Sequence, residues 1–250
     1  MCLLWLFFFS ELNPGFSIGE RFLRDNLHAV IFDFDYTLAD SSEGVIECVN
    51  HALRGLRLPS ADPRAIRATI GMSLPDVFAR LAGSGNADKA REFIRLFTAR
   101  ADEVMADRTV LFPDVPASLR RLKAGPLALA IASTKFRYRI EQILRRENLL
   151  DCIDAVVGGE DVERHKPDPA CLLRTMEKLG CPPADALFVG DTPIDAETAQ
   201  RGGVAFAAVL SGVSDREDFA PCPVEHFAPN LRQMADWILA QSVFTVSNEP

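Results

Sequence analysis

The chain has 250 residues, of which 48% are hydrophobic and 25% charged, with a formal net charge of -8. That length fits one large α/β domain, or one domain carrying an insertion, and the balance predicts a packed core. The acidic charge argues against nucleic-acid binding, which favours basic surfaces. An anionic substrate is compatible only where local cations or a metal reverse the field at the site.

The chain opens on "MCLLWLFFF", residues 1–9, a strongly apolar stretch. It is far shorter than the ~20 residues that span a bilayer. It also lacks a basic leading region and a clear small-residue cleavage site. It reads as a tail that packs on the domain or on a partner, or as a misassigned start, so residues 1–26 are set apart as an extension without an assigned role. No membrane association is expected, and the expected location is cytoplasmic. The six cysteines, Cys2, Cys48, Cys152, Cys171, Cys181 and Cys222, form no CxxC pair, and the four histidines have no ligand spacing near them. Reduced thiols are the expectation, and a zinc site is not.

The first predicted strand is residues 29–32, AVIF. Residues 41–112 then hold no convincing strand. "EGVIECVNHALRGL", "DPRAIRATI", "LPDVFARLA" and "DKAREFIRLFTARADEVMAD" read as helices separated by prolines and a glycine-rich stretch. That is too much chain for one crossover helix, so an inserted helical cap subdomain is expected at 41–112. The segment 111–116, LFPDVP, reads as the return linker, and a helix starts in "ASLRRLKAG". Apolar runs at 126–132, 155–157, 186–189 and 204–210 then alternate with helical patterns at 137–150, 169–180 and 195–203. Continuous apolar strands suit a parallel sheet covered on both faces. The expected fold is therefore α/β, a doubly wound parallel sheet of the Rossmann-like kind, with its core in residues 27–40 and 113–250.

In such sheets, functional groups gather at the carboxyl ends of the strands. Asp33, Asp35 and Thr37 follow the first strand; Ser133, Thr134 and Lys135 follow the second; Lys166 lies in "HKPDP" before the fourth; Asp191 and Asp195 follow the fourth. Four carboxylates in one crevice repel one another unless a cation sits among them. Hard oxygen ligands point to magnesium. A metal shared by carboxylates and a phosphoryl oxygen, faced by one lysine and one hydroxyl, describes a phosphoryl-transfer site.

The segments "DFDYTLADS", "ASTK", "HKPDP" and "GDTPID" resemble, in order, the four motifs of the haloacid dehalogenase (HAD) superfamily. The helical insertion resembles the cap of its subgroup I, and residues 27 to 240 are most similar to the phosphoglycolate-phosphatase-like hydrolases. The resemblance implies that Asp33 is the nucleophile and forms an aspartyl-phosphate, while Asp35 is the general acid and base. It implies magnesium held by the carboxylates of Asp33 and Asp191 and the main-chain carbonyl of Asp35, with Asp195 in support. Ser133 matches the second-motif hydroxyl and Lys166 the phosphoryl-neutralising cation. The amides of Phe34, Asp35 and Thr134 are candidate phosphoryl donors, and Thr37 supports the turn. Substrate contacts are expected from the cap near Gly71, with Arg67 a further candidate. Tyr36 stands where relatives usually have glycine, and its side chain could alter the wall of the substrate cavity.

Each residue also has an ordinary structural reading. Asp191 and Asp195 suit a helix N-terminus, Ser133 suits a helix cap with Thr134 as its competitor for the hydroxyl role, and Lys166 could be a surface lysine. His165 reads as a loop residue; Lys135 and Arg137 could reach the substrate, but a solvated helix start is the expected reading. The expected function is hydrolysis of a small phosphate monoester, phosphoglycolate first, by a monomer or homodimer. A phosphomutase of the β-phosphoglucomutase type and a non-catalytic phosphate-binding module are the alternatives. Dehalogenation is disfavoured by Asp35, since a halide leaving group needs no proton. Phosphonate cleavage needs a cap lysine, and none occurs between residues 41 and 88.

Overall fold

The computed structural model describes residues 27–243. The apolar stretch 1–9, Cys2 and the rest of the N-terminal extension lie outside the described residues. The first strand, β1, is Ala29–Phe32, and all four of its side chains are fully buried. A two-residue strand, β2 (Ala39–Asp40), leads into the helices α1 (Ser42–Gly55), α2 (Pro63–Arg67), α3 (Leu74–Ala82) and α4 (Ala90–Val104). The chain returns through β3 (Val110–Leu111), which pairs antiparallel with β2. Residues 41–112, read from sequence as free of strand, thus contain β3, half of a short ribbon tying the exit of the insert to its return. Two residues are too few for any period to show.

The remainder alternates helix and strand: α5 (Val115–Lys123), β4 (Ala128–Ala132), α6 (Arg137–Arg146), β5 (Ala155–Val157), α7 (Ala170–Leu179), β6 (Ala186–Gly190), α8 (Pro193–Gly202), β7 (Ala205–Val209), β8 (His226–Ala228) and α9 (Leu231–Val243). The six longer strands make one parallel sheet in the order β5-β4-β1-β6-β7-β8. The expected doubly wound sheet is present, with β8 as a sixth strand at its edge. Neither β8 nor α9 is among the elements expected from the sequence.

Strand alternation gives each face of the sheet its own core. Val30 and Phe32 of β1 pack with Leu119, Ile140, Ile143, Met234 and Ile238 on one face. Ala29 and Ile31 pack with Leu172, Met176, Ala196 and Ala199 on the other. The inserted helices bury a third cluster of their own around Phe78, Phe93 and Phe97, with the Phe78 and Phe93 ring centroids 4.8 Å apart. Buried aromatic area of this kind is the main stabiliser of a small helical layer.

The direction of winding reverses at β1, with β4 on one side and β6 on the other. A crevice opens there at the strand ends, which is where doubly wound sheets bind ligands. Among the described residues, no helix is long and apolar enough to cross a membrane. Cys48, Cys152, Cys171, Cys181 and Cys222 form no disulfide.

Candidate active site

Asp33, Asp191 and Asp195 converge at the ends of β1 and β6, each 2% exposed or less, with one carboxylate oxygen apiece within 4.8 Å of the others. Lys166 reaches in from the loop before α7. Its Nζ lies 2.9 Å from Asp33 Oδ1 and 2.7 Å from Asp195 Oδ1, and the lysine is itself 5% exposed. It is not a surface residue. The contact to Asp33 is an ion pair without hydrogen-bond geometry, so Asp33 Oδ1 accepts no hydrogen bond.

Close packing of these acids depends on glycine at two points. A Cβ at Gly190 would stand 2.6 Å from the Cβ of Asp195, and one at Gly212 would collide with Asp191 Oδ2. Thr192 caps α8: its hydroxyl donates to Asp195 Oδ2 (2.6 Å), and its amide donates to the same oxygen (3.1 Å). Asp195 therefore has one oxygen on the helix cap and the other on Lys166, which fits the supporting part expected of it. Thr37 donates its hydroxyl to Asp191 Oδ1 at 3.0 Å.

Burial pushes the Asp33 carboxyl up from its ordinary 3.8 to about 6; Lys166 pulls against this, while Asp195 and Asp35 add to it. Asp191 is raised well above its ordinary value by burial, then by Asp195 and Asp33. Burial alone would lower the Lys166 ammonium, but Asp195 and Asp33 hold it above its ordinary value. One lysine thus serves three buried carboxylates. Among the described residues, three buried side-chain oxygens have no hydrogen-bond partner, and two of them are Asp33 Oδ1 and Asp191 Oδ2. Asp191 Oδ2 is without a partner and Asp33 Oδ1 has only its ion pair with Lys166, and neighbouring acids so under-compensated fit a hard divalent cation.

Asp35 faces elsewhere. Its carboxylate receives Lys135 Nζ at 2.9 and 3.2 Å, and Lys135 is 8% exposed. The ammonium also stands 5.8 Å from the centre of the Phe34 ring, within cation–π reach. The expectation of a solvated helix start at Lys135 is corrected: the side chain turns inward because a buried carboxylate waits there. Arg137 does remain on the partly exposed side, paired with Asp161 and Glu141. Ser133 accepts a 3.3 Å hydrogen bond from the Lys135 amide, so its hydroxyl closes the turn after β4. Thr134 donates to the carbonyl of Gly71, 3.3 Å away in the insert.

Asp35 and Lys135 form part of the wall of a cavity of about 270 Å³ between the core and the inserted helices. The insert supplies Ile70, Gly71, Met72, Ile94 and Phe97 among others; the core adds Thr134, Arg139 and His165. Gly71 has a φ of +93°, a left-handed value that favours glycine. Arg67 is exposed and does not line this cavity, and neither do Phe34 and Thr37. His165 is a loop residue, as read, but it reaches the wall.

Arg139, which sequence reading passed over, is 4% exposed and bonds Asp102 at 2.6 Å and the Thr98 carbonyl at 3.1 Å, both on α4. Arg146 adds a bond to the Thr109 carbonyl at 2.8 Å. These contacts seat the insert on the core. Tyr36 adopts a φ of +62°, which explains why glycine suits that position. Its side chain is 6% exposed, and Ser211 fixes its carbonyl at 2.6 Å. It does not line the cavity.

A crossover at the switch point, buried acids around one lysine and a helical insert over the strand ends together define a doubly wound α/β protein with a buried acidic site at its switch point. The sequence profile of the haloacid dehalogenase-like hydrolases matches residues 30–209. The chain belongs to that family. It is 34% identical over 187 residues to "Probable phosphatase IndB" of Dickeya dadantii, covering 74% of this chain and 81% of that one. It is 32% identical to the phosphoglycolate phosphatase of Aquifex aeolicus, covering 74% and 86%. Among solved structures, one from Bacteroides fragilis assigned to the haloacid dehalogenase-like hydrolases superposes with a TM-score of 0.79 at 38% identity, covering 82% and 98%. These relatives place the chain with the phosphatases of the family, on the side of the phosphoglycolate phosphatases.

Proposed function

We propose that the chain is a magnesium-dependent phosphatase that hydrolyses a small phosphate monoester through an aspartyl-phosphate on Asp33. The observation that carries this reading is the separation of two carboxylates only two residues apart. Asp33 lies in the acid cluster beside Lys166, and Asp35 lies on the cavity wall beside Lys135. That separation supports a reading in which Asp33 attacks phosphorus and Asp35 serves the group that leaves.

Asp33 and Asp191 would hold the magnesium, with Asp195 supporting them and the Asp35 carbonyl as a further ligand. Bound there, the ion supplies positive charge for the phosphoryl oxygens. A carboxylate oxygen of Asp33 attacks phosphorus, and the bond from phosphorus to the ester oxygen breaks. Asp35, in its protonated form when the ester is bound, gives that proton to the leaving oxygen and is left as the carboxylate that Lys135 holds. Water then attacks phosphorus, Asp35 takes the proton back, and the bond from phosphorus to Asp33 breaks. Lys166 neutralises the transferring group, with the amides of Phe34, Asp35 and Thr134 and the hydroxyl of Ser133 as its hydrogen-bond donors. Lys135 positions Asp35. The helices over residues 41–112 act as the cap that excludes water and selects the leaving group.

The names of the relatives make phosphoglycolate the reference substrate. The test is free phosphate released from a panel of phosphate esters, with magnesium and with a chelator. Magnesium-dependent release is expected; no release from any ester would sink the reading.

A further inference from the structure

The chamber beside Asp35 carries information about the leaving group that the acid cluster does not. Its volume of about 270 Å³ exceeds the ~150 Å³ of a dry apolar cavity that admits one benzene ring. Ile70, Met72, Val77, Ile94, Phe97 and Met105 make up much of its wall.

Most of the polar side chains on the wall are already engaged, His165 being the exception. Lys135 is spent on both oxygens of Asp35. Arg139 is spent on Asp102 and the Thr98 carbonyl, and its guanidinium stands 4.8 Å from the centre of the Phe136 ring. The hydroxyls of Thr69, Ser73 and Thr134 donate to the Ile66 carbonyl, Asp76 and the Gly71 carbonyl. Glu160 accepts the Arg137 amide and adds a second negative charge to the wall beside Asp35. A leaving group bearing a carboxylate would be desolvated here against two acids. Lys135 and Arg139, the lysine and arginine of the wall, are both paired, which leaves His165 to meet the anion. A polyol would find its hydroxyls facing side chains that already have partners. An uncharged apolar group would replace water on an apolar surface at no such cost.

We infer that the leaving group is an uncharged, apolar alcohol, cyclic or branched, seated against Met72, Ile94 and Phe97. This rests on the phosphatase reading and refines it: the two-carbon acid of phosphoglycolate is a poor occupant of this chamber.

The test compares esters of three primary alcohols, so that the chemistry of the leaving oxygen is similar: cyclohexylmethyl phosphate, glycerol 1-phosphate and 2-phosphoglycolate. Each is assayed with magnesium alongside p-nitrophenyl phosphate. The expected result is a kcat/KM for the cyclohexylmethyl ester at least about tenfold above the other two, since apolar pockets discriminate by this order. Met72→Lys, which removes apolar surface and adds a cation, shifts the ratio toward phosphoglycolate by a similar factor. Ile94→Gln gives a second reading should the first variant fold poorly. Faster turnover of phosphoglycolate or glycerol 1-phosphate overturns the inference, as does an unchanged ratio in a folded variant. Those outcomes leave the phosphatase reading standing. No turnover of any ester, p-nitrophenyl phosphate included, overturns that reading and this inference with it.

Discussion

The two sides of Asp35 differ in kind. Toward the sheet, Asp33, Asp191, Asp195 and Lys166 form a charged cluster held by strand ends, a helix cap and two glycines. Toward the insert lies a largely apolar chamber whose wall comes mainly from side chains of the inserted helices and their connections. The first consists of buried side chains that pair with one another and with the cap of α8. The second is built from residues that exchange for one another with little effect on the sheet. Substitutions in the cluster should therefore change turnover of all substrates alike, whereas substitutions in the chamber should change the order of preference among them.

The largest effect is expected for Asp33→Asn. It should lower phosphate release from p-nitrophenyl phosphate by on the order of 10⁴-fold or more, as loss of a nucleophile does. Loss limited to some esters would break the contrast between cluster and chamber. Asp35→Asn should cost about 10²- to 10⁴-fold, the usual worth of a general acid. That cost should be greater for an alkyl ester than for p-nitrophenyl phosphate, whose leaving oxygen needs no proton. Equal losses on both would remove Asp35 from the leaving-group side.

Lys166→Met leaves Asp33 and Asp195 without their shared cation. A stability loss of about 3–5 kcal/mol is expected in chelator, measured by denaturant unfolding, with partial recovery on adding magnesium. The pH dependence has a definite sign. Asp33 holds its proton to about pH 6 when folded and to about 3.8 otherwise. The metal-free folded state therefore binds more protons between those values, and stability from this group falls as pH rises through that window. Asp191, also raised, acts in the same direction. Unfolding in chelator at pH 4.5 and pH 6 should show the decline, and Asp33→Asn should reduce it. The smallest effect is expected for Arg67→Ala. Being exposed and away from the chamber wall, it should alter kcat/KM by less than about twofold, in line with surface substitutions generally.

What could be read in the sequence follows from how local the causes are. The strands at 29–32 and 186–190 announce themselves by continuous apolar runs, and the acids stand directly after them. Lys135 was harder, because "TKFRYRI" looks like any helix start. Its partner Asp35 is 100 residues away. Arg139 likewise sits in an ordinary helical pattern, and only the docking of α4 gives it Asp102. The ribbon of β2 and β3 and the edge strand β8 have two, two and three residues, too short for a period. Gly212 carries no sequence signal for the close approach of Asp191. The chamber itself is a product of tertiary packing, so its apolar character could not be seen in advance.

The central claim is that Asp33 carries the phosphoryl group. Acid quenching of the working enzyme on a phosphorus-labelled ester, followed by peptide mapping, tests it directly. The account predicts a hydroxylamine-labile label on the peptide containing Asp33, absent from Asp33→Asn. Full phosphate release with the label on another residue would contradict it.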